Sequence, residues 1–289
     1  MSADLAYPAL GHPELGHPVL DMHVHTVIAR TWTTGTQDYV REANPEAYAD
    51  SASFEDPAHL WGILAGEGVD HAVVLAEEAP ASSGMVTSEF IQDYCADIPT
   101  LHPFASLNPA IDEDLVGRLE RLLARGRVAG LKFLPPYQHV YPNDPRLYPL
   151  YERAEALGLP CTFHTGLSRI PGTRLKFADP LLLDDVAVDF PHLPILLAHA
   201  GRGVWYDAAA MLATLHENVY LELSGLPPRN LPRYFPQLER LVGKMIFGSD
   251  FPGVPSIAEN IAALREVLGE AGARAVLWEN GARLLGLKE

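Results

Sequence analysis

The residues Asp21-Met22-His23-Val24-His25 carry the densest chemistry in the chain. They end a short apolar run, and side chains two apart on an extended strand point to the same face. His23 and His25 would therefore present two imidazoles side by side, a spacing that lets a pair of nitrogens chelate one divalent ion. Asp21 shares that alternation one layer deeper, where it is expected to orient a ligand rather than bind metal. Two histidines two apart also occur by chance on exposed strands. Here both close an apolar segment, where imidazoles without partners are costly.

Three more polar residues stand in the same kind of place. His164 ends Cys161-Thr162-Phe163-His164-Thr165-Gly166, His199 ends Leu197-Ala198-His199-Ala200-Gly201, and Asp250 ends Phe247-Gly248-Ser249-Asp250-Phe251-Pro252. Each terminates an apolar run and is followed within two residues by Gly or Pro. Taken singly, such a residue is more often a satisfied core histidine or a turn aspartate. Their coincidence with the His23/His25 pair points instead to strand ends that converge on one site. Lys132 closes a comparable run and is expected to pair as an ammonium with a carboxylate or to receive a substrate carboxylate. Arg202, three residues after His199, has the fork that grips a carboxylate bidentately, although a surface ion pair explains it equally well. Arg169, Arg174 and Lys176, after His164, read first as a solvated loop face. Trp32, Trp205 and Tyr206 would either wall a substrate pocket or simply pack.

The elements that must position these residues follow a rhythm. Strands are expected near residues 18–25, 70–76, 102–107, 128–134, 160–165, 194–199, 219–223 and 244–249. Segments of helical period separate them, including 146–157, 204–215, 231–242 and 256–268. After Asp112, taken as an N-cap with Glu113 and Asp114 in the first turn, Leu115, Leu119, Leu122 and Leu123 make one apolar stripe. Eight strands alternating with helices imply parallel pairing through right-handed crossovers. The expected architecture is a single-domain α/β (β/α)₈ TIM barrel over residues 1–289, with 1–17 as an N-terminal extension. Residues 26–54 break the rhythm as a long loop over the active-site face, offering Trp32, Tyr39 and Tyr48 but few aliphatics. A subunit contact in a homodimer would be the other use for those aromatics.

Composition narrows the function. Lysine and arginine number 21 against 37 acidic residues, a net charge of -16. That excludes nucleic acid and anionic membrane surfaces as partners, because both need clustered cations. Cys95 and Cys161 are the only cysteines and form no CxxC, which fits reduced thiols in a cytoplasmic protein. No secretory signal or bilayer-spanning run is expected.

The ordered set His23-x-His25, His164, His199 and Asp250 on strands one, five, six and eight resembles the amidohydrolase superfamily of barrels. Gly130-Leu131-Lys132-Phe133-Leu134-Pro135-Pro136 and Phe247–Pro252 are similar to the amidohydrolase-related branch, which includes aminocarboxymuconate semialdehyde and resorcylate decarboxylases. The likeness runs from about Leu20 to the closing segment Leu277–Gly286. It implies one ion, usually zinc, held by His23, His25, His164 and Asp250, with Asp250 as base for the metal-bound water. His199 would act on substrate or water, and Lys132 would bridge a second ion if carboxylated. The expected activity is metal-dependent hydrolysis of a small, carboxylated or cyclic substrate, with Lys132, Arg202 and Trp32 binding it. Non-oxidative decarboxylation of an aromatic or muconate-type acid by the same metal shell is the alternative. A metal-free lactonase, or a ligand-binding barrel without turnover, is a further one.

Overall fold

A computed structural model describes residues 16–288. The expected eight strands form one parallel sheet: β1 (Leu20–Val24), β2 (His71–Leu75), β5 (Leu101–Ser106), β6 (Gly130–Phe133), β7 (Cys161–Gly166), β8 (Ile195–Arg202), β9 (Val219–Glu222) and β10 (Met245–Ile246). The sheet curls until its edges meet. Met22 N donates to Phe247 O at 3.0 Å, Asp250 N to His23 O at 3.0 Å and His25 N to Phe251 O at 2.9 Å. The strands are rich in apolar residues and almost wholly buried on both faces, as expected where helices cover a parallel sheet. This is the (β/α)₈ barrel, and most of the expected 1–17 extension lies outside the described residues. Among the described residues no helix is long and apolar enough to cross a membrane, and Cys95 and Cys161 are free and buried.

Three local expectations are corrected. The helix Leu115–Arg125 is capped by Asp114, whose carboxylate accepts from Gly117 N at 2.8 Å. Asp112 instead accepts from Asn108 N and pairs with Arg118. The segment 231–242 is two single turns, Leu231–Tyr234 and Leu238–Leu241, because Pro236 between them can neither donate a helical hydrogen bond nor follow a helical residue without a clash. The stretch 26–54 is also more structured than a loop. It contains the helix Thr34–Ala43, which buries Thr36 and Val40, and it ends in the fully buried Phe54, whose ring lies tilted 6.1 Å from that of Phe251.

A short hairpin, β3 (Glu77–Ala79) with β4 (Gly84–Val86), follows β2 and ties this segment down. Trp32 bridges to Gly84, Thr33 N donates to Ser83 O at 3.0 Å, and Thr36 Oγ1 donates to Ser83 O at 2.9 Å. Gly84 has φ of +135°, and any Cβ there would overlap the Thr31 carbonyl, so glycine is required. The hairpin is anchored in turn by Glu78, which is fully buried. Arg118 grips it through two nitrogens at 2.6 and 2.7 Å, while Ser88 N donates to it at 2.8 Å. Arg118→Ala would strand that carboxylate. We expect a loss of about 3 kcal/mol, read from the denaturant midpoint; a loss under about 1 kcal/mol would mean the carboxyl is neutral or solvated.

Candidate metal centre

The polar strand ends do converge. His23, His25, Lys132, His164, His199 and Asp250 line one cavity of about 310 Å³, which Trp32, Tyr39, Leu134, Tyr137, Ile170 and Arg202 wall further out. His23 Nε2 and His25 Nε2 lie 3.6 and 3.5 Å from the same atom, Asp250 Oδ1. One atom from each of these three residues lies within 4.8 Å of the others, so they form a cluster fit to hold a metal ion. Ligands about 2.1 Å from a tetrahedral ion stand about 3.4 Å apart, so the donor set and its spacing suit a divalent cation.

His164 does not belong to that cluster of three. Its Nδ1 lies 3.1 Å from His199 Nε2, and its Nε2 is buried with no hydrogen-bond partner among the described residues. An imidazole nitrogen left bare inside a protein is costly unless something else occupies it, which fits a fourth ligand. His199 is held through Nδ1, 2.8 Å from Ser224 O. Both His199 and Asp250 sit in the left-handed backbone region, at φ +65° and +69°. At His199 this follows from a bulge: His164 pairs with Ala198 but Gly166 pairs with Arg202. Gly225 makes room for Asp250, since a Cβ there would press on Asp250 Oδ2 and Arg202 Nη1.

The charges are shaped by burial. It holds His23, His164 and His199 well below the ordinary imidazole value, and the cations Lys132 and Arg202 add to the effect. Burial also pulls His25 down, but Glu77 and Asp250 outweigh it and raise the ring. For Asp250 burial would raise the carboxyl, yet the hydrogen bond from His25 and the surrounding His and Arg bring it to about 2. Burial lowers Lys132, whose Nζ lies 3.2 Å from His23 Nε2, and raises Glu222.

Several expectations are revised. Asp21 touches no histidine ring: its Oδ1 accepts from His23 N at 3.0 Å and Ser249 N at 2.8 Å. That bend shifts the β1 register between Asp21 and Val24, so simple alternation fails there. Tyr48 faces Gln37 and Arg41 rather than the cavity, and Tyr206 stacks on Tyr234. Of the basic loop residues only Arg169 reaches the cavity wall, where it pairs with Glu42. Two residues escaped the sequence reading. Glu222 Oε2 lies 2.6 Å from His23 Nδ1, and Glu77 Oε1 lies 3.2 Å from His25 Nδ1. A glutamate inside the apolar run Val219–Leu223 was the available signal for the first.

Residues 20–287 match the amidohydrolase family. The chain belongs to that family. It is accordingly an enzyme of the metal-dependent amidohydrolase type. No curated protein matches the sequence. Among solved structures, the chain is similar to 5-carboxyvanillate decarboxylase from Sphingomonas paucimobilis, at 17% identity over 94% of this chain and 99% of the other, TM-score 0.65. A dihydroxybenzoic acid decarboxylase from a Polaromonas species, bound to manganese and 2-nitroresorcinol, shares 17% identity over 93% and 97%, TM-score 0.69. An Acinetobacter baumannii protein described as a 2-pyrone-4,6-dicarboxylic acid hydrolase shares 16% over 94% and 100%, TM-score 0.62. At these identities the likeness is one of fold.

Proposed function

We propose that this amidohydrolase hydrolyses a small, carboxylated or cyclic organic substrate with the help of one divalent ion held by His23, His25, His164 and Asp250. The observation that carries the reading is the meeting of two imidazole Nε2 atoms on one Asp250 oxygen, inside an aromatic-walled cavity. A bound ion supplies Lewis acidity and lowers the pKa of water. Asp250, ionised throughout the working range, takes up a proton at its carboxylate during attack. Arg202 is pre-aimed: Nε and Nη2 donate to Leu167 O at 3.1 and 3.0 Å, and Nη1 stays beside Asp250 at 3.8 Å, able to meet a substrate carboxylate. Lys132 keeps positive charge beside His23, and a second ion enters only with its carboxylation. His199 holds substrate or water by hydrogen bonding. Zinc is the ion we assign, and the cytoplasm the compartment.

A second reading, non-oxidative decarboxylation, is favoured by Lys132 and Arg202, two of the cations lining the cavity, and by the named decarboxylases of the same fold. The test is a metal-supplemented screen of lactones, amides and aromatic acids, with products identified by mass. Gain of water supports hydrolysis and loss of carbon dioxide supports the second reading. Turnover that survives exhaustive chelation in metal-free protein would sink both.

Trp32 is buried, lines the cavity, and has an indole N–H with no hydrogen-bond partner among the described residues. It therefore offers substrate a flat apolar wall. Trp32→Ala is expected to change relative kcat/KM between two substrates by about tenfold at unchanged metal content. Equal losses for both substrates, or a change confined to oligomer dissociation, would assign the segment to another role.

A further inference from the structure

Four histidines crowd this site, and for three of them, His23, His164 and His199, the partners decide which ring nitrogen carries the proton. His23 Nδ1 is 2.6 Å from the carboxylate of Glu222, so Nδ1 donates and Nε2 keeps its lone pair. His199 Nδ1 is 2.8 Å from the Ser224 carbonyl, which can only accept, so Nδ1 again holds the proton and Nε2 the lone pair. That Nε2 is 3.1 Å from His164 Nδ1, which must then be the donor. His164 Nε2 is thereby left as a bare buried lone pair. Ser224 completes the knot. Its N–H donates to Glu222 Oε1 at 2.7 Å and its hydroxyl to Oε2 at 2.8 Å, with that hydroxyl 3.0 and 2.9 Å from the Nδ1 atoms of His23 and His199.

We propose that Glu222 and Ser224, where β9 ends, are positioning residues that lock His23, His199 and His164 as Nδ1–H tautomers, so that His23 and His164 each offer Nε2 to the ion. The inference rests on the metal-centre reading above. It gives His199 a task beyond substrate: orienting His164. It also explains why a carboxylate sits fully buried in an otherwise apolar strand, since an outer partner of this kind fixes ring direction and raises ligand basicity.

Glu222→Gln keeps the shape but not the proton logic. If the amide oxygen accepts from Ser224 N, its NH₂ faces His23 Nδ1 and drives the ring to the Nε2–H form, which blocks the metal-binding nitrogen. If the amide turns over, its NH₂ opposes Ser224 N–H. Ring-nitrogen NMR on metal-free protein at neutral pH should show Nδ1–H for His23, His164 and His199 in wild type, and loss of that form at His23 in Glu222→Gln. The Kd for Zn²⁺ or Mn²⁺ should rise 10- to 100-fold in the same variant. Ser224→Ala should leave the His199 tautomer alone, because the acceptor there is a backbone carbonyl. An Nε2–H tautomer at His23 in wild type overturns the proposal, and so does an unchanged Kd in a natively folded Glu222→Gln. Should that variant not fold, the wild-type spectrum decides. Wild-type protein that binds neither ion would sink the metal-centre reading itself, with the spectrum still deciding this one.

Discussion

Asp250→Asn should lower kcat/KM by on the order of 10³ or more while the barrel stays folded. The substitution removes the negative charge of the group that faces both His23 Nε2 and His25 Nε2, the only carboxylate of the three-residue cluster. It also removes a base held well below the ordinary carboxyl range. Burial, opposed and overcome by His25, His23 and Arg202, leaves the folded pKa at about 2, below the ordinary value of 3.8. The sign follows: a depressed carboxyl adds stability that is fully present above its unfolded pKa and is lost as pH falls through about 2. An acid limb in the rate near neutrality would therefore belong to another group. A variant retaining activity within tenfold of wild type would remove Asp250 from the mechanism.

His25→Ala should strip the protein of metal, raising Kd by more than the 10- to 100-fold typical of an outer partner. His23→Ala should do the same, with an added cost because Glu222 would lose its ring partner in a fully buried place. Elemental analysis after dialysis reads the result. Full stoichiometry in either variant would dissolve the claim that these nitrogens are ligands. The thermal transition should persist in both and after chelation, since the core of Val, Leu, Ile and Phe is continuous without an ion.

The barrel was legible because its strands are short apolar runs spaced by helices, a pattern that survives single-sequence reading. The strand-end residues were legible for a related reason: His164, His199 and Asp250 each interrupt an apolar run just before a Gly or Pro. Glu222 interrupts one too, but no histidine neighbours it in sequence, and its 2.6 Å partner His23 is supplied from across the barrel. Glu77 lies in a hairpin with almost no period to detect. Asp112 and Asp114 are both credible caps, and only the Arg118 network decides between them by recruiting Asp112. The bend at Asp21 is a side chain capturing its own backbone, which alternation rules cannot foresee.

The hairpin Glu77–Ala79/Gly84–Val86 does two jobs at once. One strand supplies Glu77 beside His25, and the other end receives Trp32, Thr33 and Thr36 from the covering segment. A designer wishing to transplant substrate preference from a relative could not exchange 26–54 alone. The graft would arrive without its matching Ser82, Ser83 and Gly84, and the mismatch would travel back to the His25 ring. The smallest portable unit is therefore the pair of segments together, residues 26–54 with the hairpin that receives them.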